Sequence, residues 1–266
     1  MDDSNPKPMR RNLHKGIFLL PNLFTTGALF AGFYAIIAAM QGHFETAAMV
    51  IFLAMILDGL DGRVARLTNT QSAFGAEYDS LSDMVCFGVA PGLVMYQWSL
   101  SYLADVSAFW GRLGWLAAFI YTTCTALRLA RFNTQIGTAD KRYFQGLASP
   151  AAAAVVMGAV WFSETYAISG EELKYLMVVL TLCAGGLMVS RFSYYSFKDL
   201  DLRQKIPFMM ALAVMLVMVF LAIEAATLLF FSFILYMLSG PVISLFRWYR
   251  KRQRLQTDEQ LPTTDE

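Results

Sequence analysis

The segment DGLDGRVARLTNTQSAFGAEYDSLSD, residues 58–83, places four aspartates where the chain otherwise reads as membrane-spanning helix. Asp58 and Asp61 are three residues apart and Asp79 and Asp83 are four apart, so each pair shares one face of a helix. A carboxylate at the centre of a bilayer costs at least about 2.5 kcal/mol unless it is neutralised. Four carboxylates together therefore indicate a metal site or a proton path.

The composition of the chain is that of a polytopic membrane protein. Of its 266 residues, 57% are hydrophobic and 15% are charged, and the mean hydropathy is +0.48, whereas about 25% of residues are charged in an average soluble domain. Apolar runs predict about eight spanning helices, at 22–40, 46–62, 80–103, 110–130, 148–163, 173–190, 206–223 and 225–246. We expect an all-α fold with an integral-membrane domain at 16–249, a polar segment at 1–15 and a disordered tail at 250–266.

The distribution of Lys and Arg predicts the orientation in the membrane. If the N-terminus is cytoplasmic, all of the 21 Lys and Arg residues except Arg112 and Lys174 fall on the cytoplasmic side. Both termini are then cytoplasmic, as an even number of spans requires. The aspartates lie at the inner end of the second span and the inner start of the third, so we expect the site to open to the cytoplasm.

The residues around the aspartates suit a phosphate ligand. Oxygen ligands without His or Cys favour Mg²⁺ or Mn²⁺, and two divalent ions balance four carboxylates. Pairing with nearby arginines, for instance Asp61 with Arg66, leaves an excess of negative charge. Gly62 and Gly75 allow a ligand to approach the backbone, and Arg66 offers a fork of donors to a phosphate. These features together indicate chemistry at a pyrophosphate.

A resemblance to the CDP-alcohol phosphatidyltransferase family is carried by the pattern Asp58-x2-Asp61-Gly62-x2-Ala65-Arg66-x8-Gly75-x3-Asp79-x3-Asp83. The resemblance implies a core of six helices, with the last two spans peripheral. It also implies a reaction in which an alcohol hydroxyl attacks the lipid-bearing phosphorus of a CDP-linked donor, and CMP leaves.

The same resemblance implies roles for individual residues. Two Mg²⁺ or Mn²⁺ ions are held by Asp58, Asp61 and Asp79, while Asp83 is the general base and a further metal contact. The residues implied to hold the CDP group are Gly62, Arg66 and Gly75. The stretch Pro21-Asn22-x2-Thr25 is also similar to the family and implies contacts of Asn22 or Thr25 with the nucleotide.

Three further segments resemble the phosphatidylserine synthase branch of this family, namely Asp79–Pro91, Leu127–Asn133 and Tyr143–Ala152. They imply that CDP-diacylglycerol and L-serine are the substrates, although Ala148 stands where that branch more often has proline. Serine carries a carboxylate and an ammonium group. Arg128 and Arg131 are candidates to bind that carboxylate or a lipid phosphate, and Asn133 is a candidate to orient an amine or hydroxyl.

Several alternatives stay open. The chain could use glycerol 3-phosphate or an inositol phosphate as acceptor, which would make it a phosphatidylglycerophosphate or phosphatidylinositol-phosphate synthase. A membrane prenyltransferase also uses aspartate-bound Mg²⁺, but its aspartate clusters have a different spacing. An ion-coupled transporter would show repeated halves and acidic residues near the midplane. We expect a homodimer in a bacterial inner membrane, surrounded by membrane lipids and without a nucleic-acid partner.

Overall fold

The protein is described by a computed structural model over residues 19–68, 70, 72–134, 143–195 and 223–246. Its elements in chain order are α1 (Leu19–Met40), α2 (Phe44–Leu67), α3 (Ala73–Asp83), a π-helical turn (Met84–Val89), α4 (Ala90–Trp98), a 3-10 helix (Leu100–Asp105), α5 (Ala108–Thr134), β1 (Tyr143–Gln145), α6 (Ser149–Thr165), α7 (Lys174–Val189), β2 (Ser193–Tyr195) and α8 (Ile223–Phe246). The expectation of a helical protein is confirmed, and the short strand pair is an addition to it. Both polar ends and the seventh predicted span up to residue 222 lie outside the described residues.

Three of the described helices are long and apolar enough to cross a membrane, and they are Pro21–Met40, Ala108–Thr134 and Ile223–Phe246. Helix α7 is apolar but shorter. Helix α2 has 24 residues and would be about 36 Å long, but it carries Asp58, Asp61 and two arginines. The number of spans therefore stays a prediction.

The boundaries of α2 and α3 differ from the predicted ones. Helix α2 continues to Leu67, so Arg63 and Arg66 lie on its last turns, and the third predicted span begins earlier, at Ala73. Ser72 is the N-cap of α3, because its Oγ accepts a hydrogen bond from the Gly75 N–H at 3.0 Å. The connection between the two aspartate-bearing helices is therefore residues 68–72, which is shorter than the predicted spans implied.

Small residues allow the helices to pack closely. Helix α6 is buried at every position from Ala151 to Val160, which places it at the centre of the bundle. On α1, a Cβ at Gly32 would lie 3.0 Å from the Cα of Cys86. Close helix contacts of this kind are typical of membrane proteins, where small residues replace bulky side chains at the interfaces.

The π-helical turn follows Asp83 directly and is held by α5. The Ala90 N–H bonds to the Val85 carbonyl, five residues back. Two hydroxyl groups of α5 donate hydrogen bonds to neighbouring carbonyls of this turn. Tyr121 donates to Phe87 O at 2.9 Å, and Thr122 donates to Gly88 O at 3.2 Å. Side chains that bond to backbone groups in this way stabilise a widened turn inside a helix.

Strands β1 and β2 form an antiparallel pair in which Tyr143 lies opposite Tyr195 and Gln145 opposite Ser193. Gly146 follows with a φ of 83°, which favours glycine, and a Cβ there would collide with the Met188 carbonyl. The pair joins the connection after α5 to the end of α7. It lies at the same end of the bundle as the aspartates, because Asn133 at the end of α5 bonds to Ser80 of α3.

Candidate metal and phosphate site

Three carboxylates converge where α2 meets α3. Asp58, Asp61 and Asp79 each offer one oxygen, and these oxygens all lie within 4.8 Å of one another. Asp61 is only 5% exposed. Two unit charges 4.8 Å apart repel by about 3 kcal/mol at an effective dielectric constant of about 20. The group therefore needs positive charge to be stable in its ionised form.

Within the described part of the chain, no lysine or arginine supplies that charge within 4.0 Å of an aspartate. Among the described residues the sole salt bridge joins Lys174 to Glu171, so neither Arg63 nor Arg66 pairs with an aspartate. In addition, Asp79 Oδ1 is buried and has no hydrogen-bond partner. A buried oxygen without a partner, beside two further carboxylates, fits a hard divalent cation such as Mg²⁺ or Mn²⁺.

Asp83 lies one helical turn after Asp79 but is not in the group of three. Its side chain is within hydrogen-bonding reach of Asp58, and Asp79 and Arg128 influence it electrostatically. Asp83 is thus a neighbour of the carboxylate group through Asp58, and its contact with a metal stays a prediction.

Helix α1 orients Asp61 through Thr25. The buried Thr25 Oγ1 donates to Asp61 Oδ2 at 2.7 Å, and the Thr25 carbonyl accepts from Ser82 Oγ at 3.2 Å. Thr25 therefore links α1 to both aspartate-bearing helices. Sequence reasoning assigned this residue to the nucleotide and missed its contact with Asp61. In the sequence, the only sign of this contact is a polar threonine in an apolar helix, three residues after Asn22.

Gly62 and Arg66 lie on α2 and Gly75 lies on α3, the two helices that carry the aspartates. A Cβ at Gly62 would meet nothing within 4 Å, whereas at Gly75 it would lie 3.1 Å from Ser72 Oγ and 3.7 Å from Asn22 Oδ1. Packing therefore does not require glycine at position 62. The approach of a ligand to the backbone would explain a glycine there. Arg66 is exposed at the end of α2.

The three residues predicted for the acceptor have different surroundings. Arg128 is half-buried, donates from Nη1 to Ser149 Oγ at 2.5 Å, and faces Asp83. Arg131 instead donates to the Val189 carbonyl at the end of α7 and to the Gln145 side chain. Asn133 Nδ2 donates to Ser80 Oγ at 3.0 Å. Of the three, Arg128 is the one that the structure brings next to Asp83.

Tyr236 of α8 was missed by the sequence analysis, which treated the last two helices as peripheral. Its ring packs against Tyr194 with 5.5 Å between the centroids. The sequence shows only one aromatic among many in an apolar helix, so no pattern distinguishes it.

Comparison with known proteins identifies the family. The model of the CDP-alcohol phosphatidyltransferase family matches residues 18–188, which contain α1 to α6 and nearly all of α7. A protein named CDP-diacylglycerol–serine O-phosphatidyltransferase from Helicobacter pylori is 39% identical over 190 residues, which cover 71% of this chain and 77% of that protein.

Two proteins with the same name come from other organisms. The one from Mycobacterium leprae is 35% identical over 178 residues, covering 65% of this chain and 57% of its own length. The one from Saccharomyces cerevisiae is 34% identical over 170 residues, covering 59% and 56%. Since the family model spans well over half of the sequence and includes every aspartate of the site, the chain belongs to the CDP-alcohol phosphatidyltransferase family.

Proposed function

We propose that this protein transfers the phosphatidyl group of CDP-diacylglycerol to the hydroxyl of L-serine, giving phosphatidylserine and CMP. The observation that carries the proposal is the group formed by Asp58, Asp61 and Asp79, with its buried, unpartnered Asp79 Oδ1. The choice of serine is supported by the names of the relatives and by the position of Arg128 next to Asp83.

In this proposal, Asp58, Asp61 and Asp79 hold two Mg²⁺ or Mn²⁺ ions. When bound there, these ions would withdraw charge from the pyrophosphate oxygens and make CMP a better leaving group. Thr25 keeps the Asp61 carboxylate in one orientation. Gly62 leaves space for the CDP group, and Arg66, Asn22 and Gly75 contact it.

Asp83 is the general base. Arg128 binds the carboxylate of serine, which brings the serine hydroxyl to the Asp83 side of the site. A bond forms between the serine oxygen and the phosphorus of the phosphatidyl group, and the bond from that phosphorus to the CMP oxygen breaks. The hydroxyl proton passes to Asp83. Since Asp83 lies outside the group of three carboxylates, it can accept this proton while the others hold metal.

The membrane arrangement is also part of the proposal. We place eight spans across a bacterial inner membrane, with both termini and the site on the cytoplasmic side, because the Lys and Arg residues follow that pattern. The resemblance to the family supports a homodimer. Light scattering of the protein in detergent would measure its mass against 29.8 kDa for one chain.

In the decisive experiment, the purified protein receives CDP-diacylglycerol, Mn²⁺ and one of three acceptors, which are L-serine, glycerol 3-phosphate and inositol phosphate. We expect CMP release in the reaction with L-serine and none in the other two. Turnover with another alcohol and none with serine would refute the choice of acceptor.

Two variants test the assigned roles. Asp83→Asn should abolish CMP release but keep Mn²⁺ binding, whereas Asp79→Asn should weaken Mn²⁺ binding itself. The matched control is Asp105→Asn, on an exposed aspartate at the end of the 3-10 helix. Normal CMP release by Asp83→Asn would exclude Asp83 as the base.

A further inference from the structure

Two contacts fix how α5 lies beside α3 and the π-helical turn. A Cβ at Gly88 would lie 3.1 Å from the Thr125 Cβ, and Asn133 Nδ2 donates to Ser80 Oγ at 3.0 Å. The later residue of α5 contacts the earlier residue of the other segment, so the two segments are antiparallel. On each segment the two contacts are eight residues apart, so the segments lie side by side over this length.

Arg128 and Asp83 both lie between these two contacts. Arg128 is three residues after Thr125 on α5, and Asp83 is three residues after Ser80 on α3. At about 1.5 Å per helical residue, the two positions differ by about 3 Å along the helix axis. The electrostatic interaction between their side chains agrees with this placement. The packing of α5 therefore brings Arg128 to the level of Asp83.

A hydrogen bond from a neighbouring helix holds the Arg128 guanidinium. Its Nη1 donates to Ser149 Oγ at 2.5 Å, and Ser149 is fully buried as the first residue of α6, after the N-cap Ala148. Among the described carboxylates none lies within 4.0 Å of Arg128, because the sole salt bridge there joins Lys174 to Glu171. A neutral hydroxyl thus holds the guanidinium without neutralising its charge, and the guanidinium has further N–H donors.

The connection between β1 and α6 keeps Ser149 in place. The Gly146 N–H donates to the Phe192 carbonyl at 2.8 Å, and the Leu147 N–H donates to the Leu187 carbonyl at 3.0 Å. The Leu147 side chain is fully buried. Ser149 thus follows two backbone hydrogen bonds to α7 and to the residue before β2. A side chain that orients another group needs a rigid support of this kind.

We propose that Ser149 is a positioning residue for the acceptor, because its hydroxyl holds the Arg128 guanidinium in the orientation that receives the anionic group of the acceptor beside Asp83. The inference rests on the proposed function, which assigns Arg128 to the acceptor and names serine as that acceptor. An arginine that is already held loses less freedom when the acceptor binds. The effect should therefore appear in the KM for the acceptor and not in the KM for the lipid donor.

Ser149→Ala tests this inference, because it removes the oxygen that accepts from Arg128. The matched control is Ser99→Ala. Ser99 is also fully buried, and its Oγ donates to the Gly170 carbonyl at 2.6 Å, at the end of α4. Both variants lose one buried hydroxyl with a short hydrogen bond, and only Ser149→Ala affects Arg128. Ser149→Cys is a second variant that nearly keeps the size of the side chain, but its thiol is a weak acceptor.

Initial rates of CMP release would be measured while the concentrations of serine and CDP-diacylglycerol are varied in turn. For Ser149→Ala we expect the KM for serine to rise about tenfold, the size expected for a lost hydrogen bond to a charged group. Ser149→Cys should raise it in the same direction. The KM for CDP-diacylglycerol should match that of the wild type in both. Ser99→Ala should leave both KM values unchanged, although its Tm falls as much as that of Ser149→Ala.

An unchanged KM for serine in Ser149→Ala would overturn the inference, and Ser149→Cys decides in the same way if the alanine variant does not fold. Equal increases in both KM values, or an equal increase in Ser99→Ala, would also overturn it. Failure of the proposed function has a different signature. In that case the wild type itself releases CMP with another alcohol and not with serine, and the same variants are compared on that alcohol. A wild type that turns over no acceptor would overturn both proposals.

Discussion

Thr25→Val should weaken metal binding without disturbing the fold. Valine has nearly the shape of threonine but lacks the hydroxyl that donates to Asp61 Oδ2 at 2.7 Å. Asp61 is 5% exposed, so water does not easily replace the lost donor. The substitution leaves a buried carboxylate that is free to rotate away from Asp58 and Asp79.

The size of the effect follows from the kind of hydrogen bond. A bond to a charged group contributes about 1.5–3 kcal/mol, and about 1.4 kcal/mol corresponds to a tenfold change in an equilibrium constant. Loss of a partner that orients a metal ligand typically weakens metal affinity by about 10- to 100-fold. Both routes give the same range for the loss of Mn²⁺ affinity in Thr25→Val.

The neighbouring Thr26→Val is a closely matched control. Each threonine donates to the carbonyl four residues earlier, Thr25 to Pro21 at 3.2 Å and Thr26 to Asn22 at 2.7 Å. Among the described residues, the other hydrogen-bond partner of Thr26 is the Tyr78 hydroxyl, at 2.9 Å, and none is a carboxylate. Both variants thus lose a local helix contact, and only Thr25→Val loses the contact with the metal site.

The assay is a titration of the detergent-solubilised protein with Mn²⁺, followed by calorimetry or by the electron paramagnetic resonance signal of free Mn²⁺. We expect Thr26→Val to bind as the wild type does and Thr25→Val to bind about 10- to 100-fold more weakly. Equal affinities for Thr25→Val and wild type would refute the argument, and so would equal losses in the two variants.

Three other outcomes follow from the structure. Chelation with EDTA should abolish CMP release, and excess Mg²⁺ or Mn²⁺ should restore it; activity that survives exhaustive chelation would contradict a metal site at the aspartates. Gly114→Ala should lower the Tm, because its Cβ would lie 2.5 Å from the Leu100 carbonyl and overpacking costs about 1–3 kcal/mol. By contrast, Gly186→Ala, with nothing within 4 Å, should be neutral or stabilising by up to about 1 kcal/mol. Trp98→Phe should also lower the Tm, since the buried indole donates to Glu164 Oε1 at 2.7 Å and such a bond contributes about 1.5–3 kcal/mol; a Tm equal to that of the wild type would argue against this contact.

The convergence of the aspartates could be predicted from sequence because it depends on local periodicity. Residues three or four apart share a helix face whatever the rest of the fold does, and a short connection joins α2 to α3, which both pack against α1. The apolar runs predicted the helices for the same reason. The end of α2 could not be predicted as well, because Arg63 and Arg66 are good helix formers that also look like the polar start of a connection.

The interactions that lie far apart in the sequence were not predictable. Thr25 and Asp61 are separated by 36 residues, and their contact depends on how α1 rotates against α2. Strands β1 and β2 have three residues each, too few to form a recognisable alternation, and they form because two connections meet at one end of the bundle. In the same way, the packing of Tyr194 against Gly240 decides which face of α8 turns toward Tyr194.

Helix α5 helps to position Asp83. Tyr121 and Arg128 are seven residues apart, about two helical turns, so they lie on one face of α5. Tyr121 bonds to the Phe87 carbonyl in the π-helical turn that begins right after Asp83, and Arg128 faces Asp83 itself. The same helix therefore bonds to the backbone just beyond Asp83 and carries an arginine that influences its carboxylate. Asp58 and Asp61 are positioned instead by α2 and, for Asp61, by Thr25 of α1. Because Asp79 and Asp83 lie one turn apart on α3, their relative position is fixed within that helix, whereas the position of Asp83 relative to Asp58 and Asp61 depends on how α3 and the π-helical turn pack against the neighbouring helices.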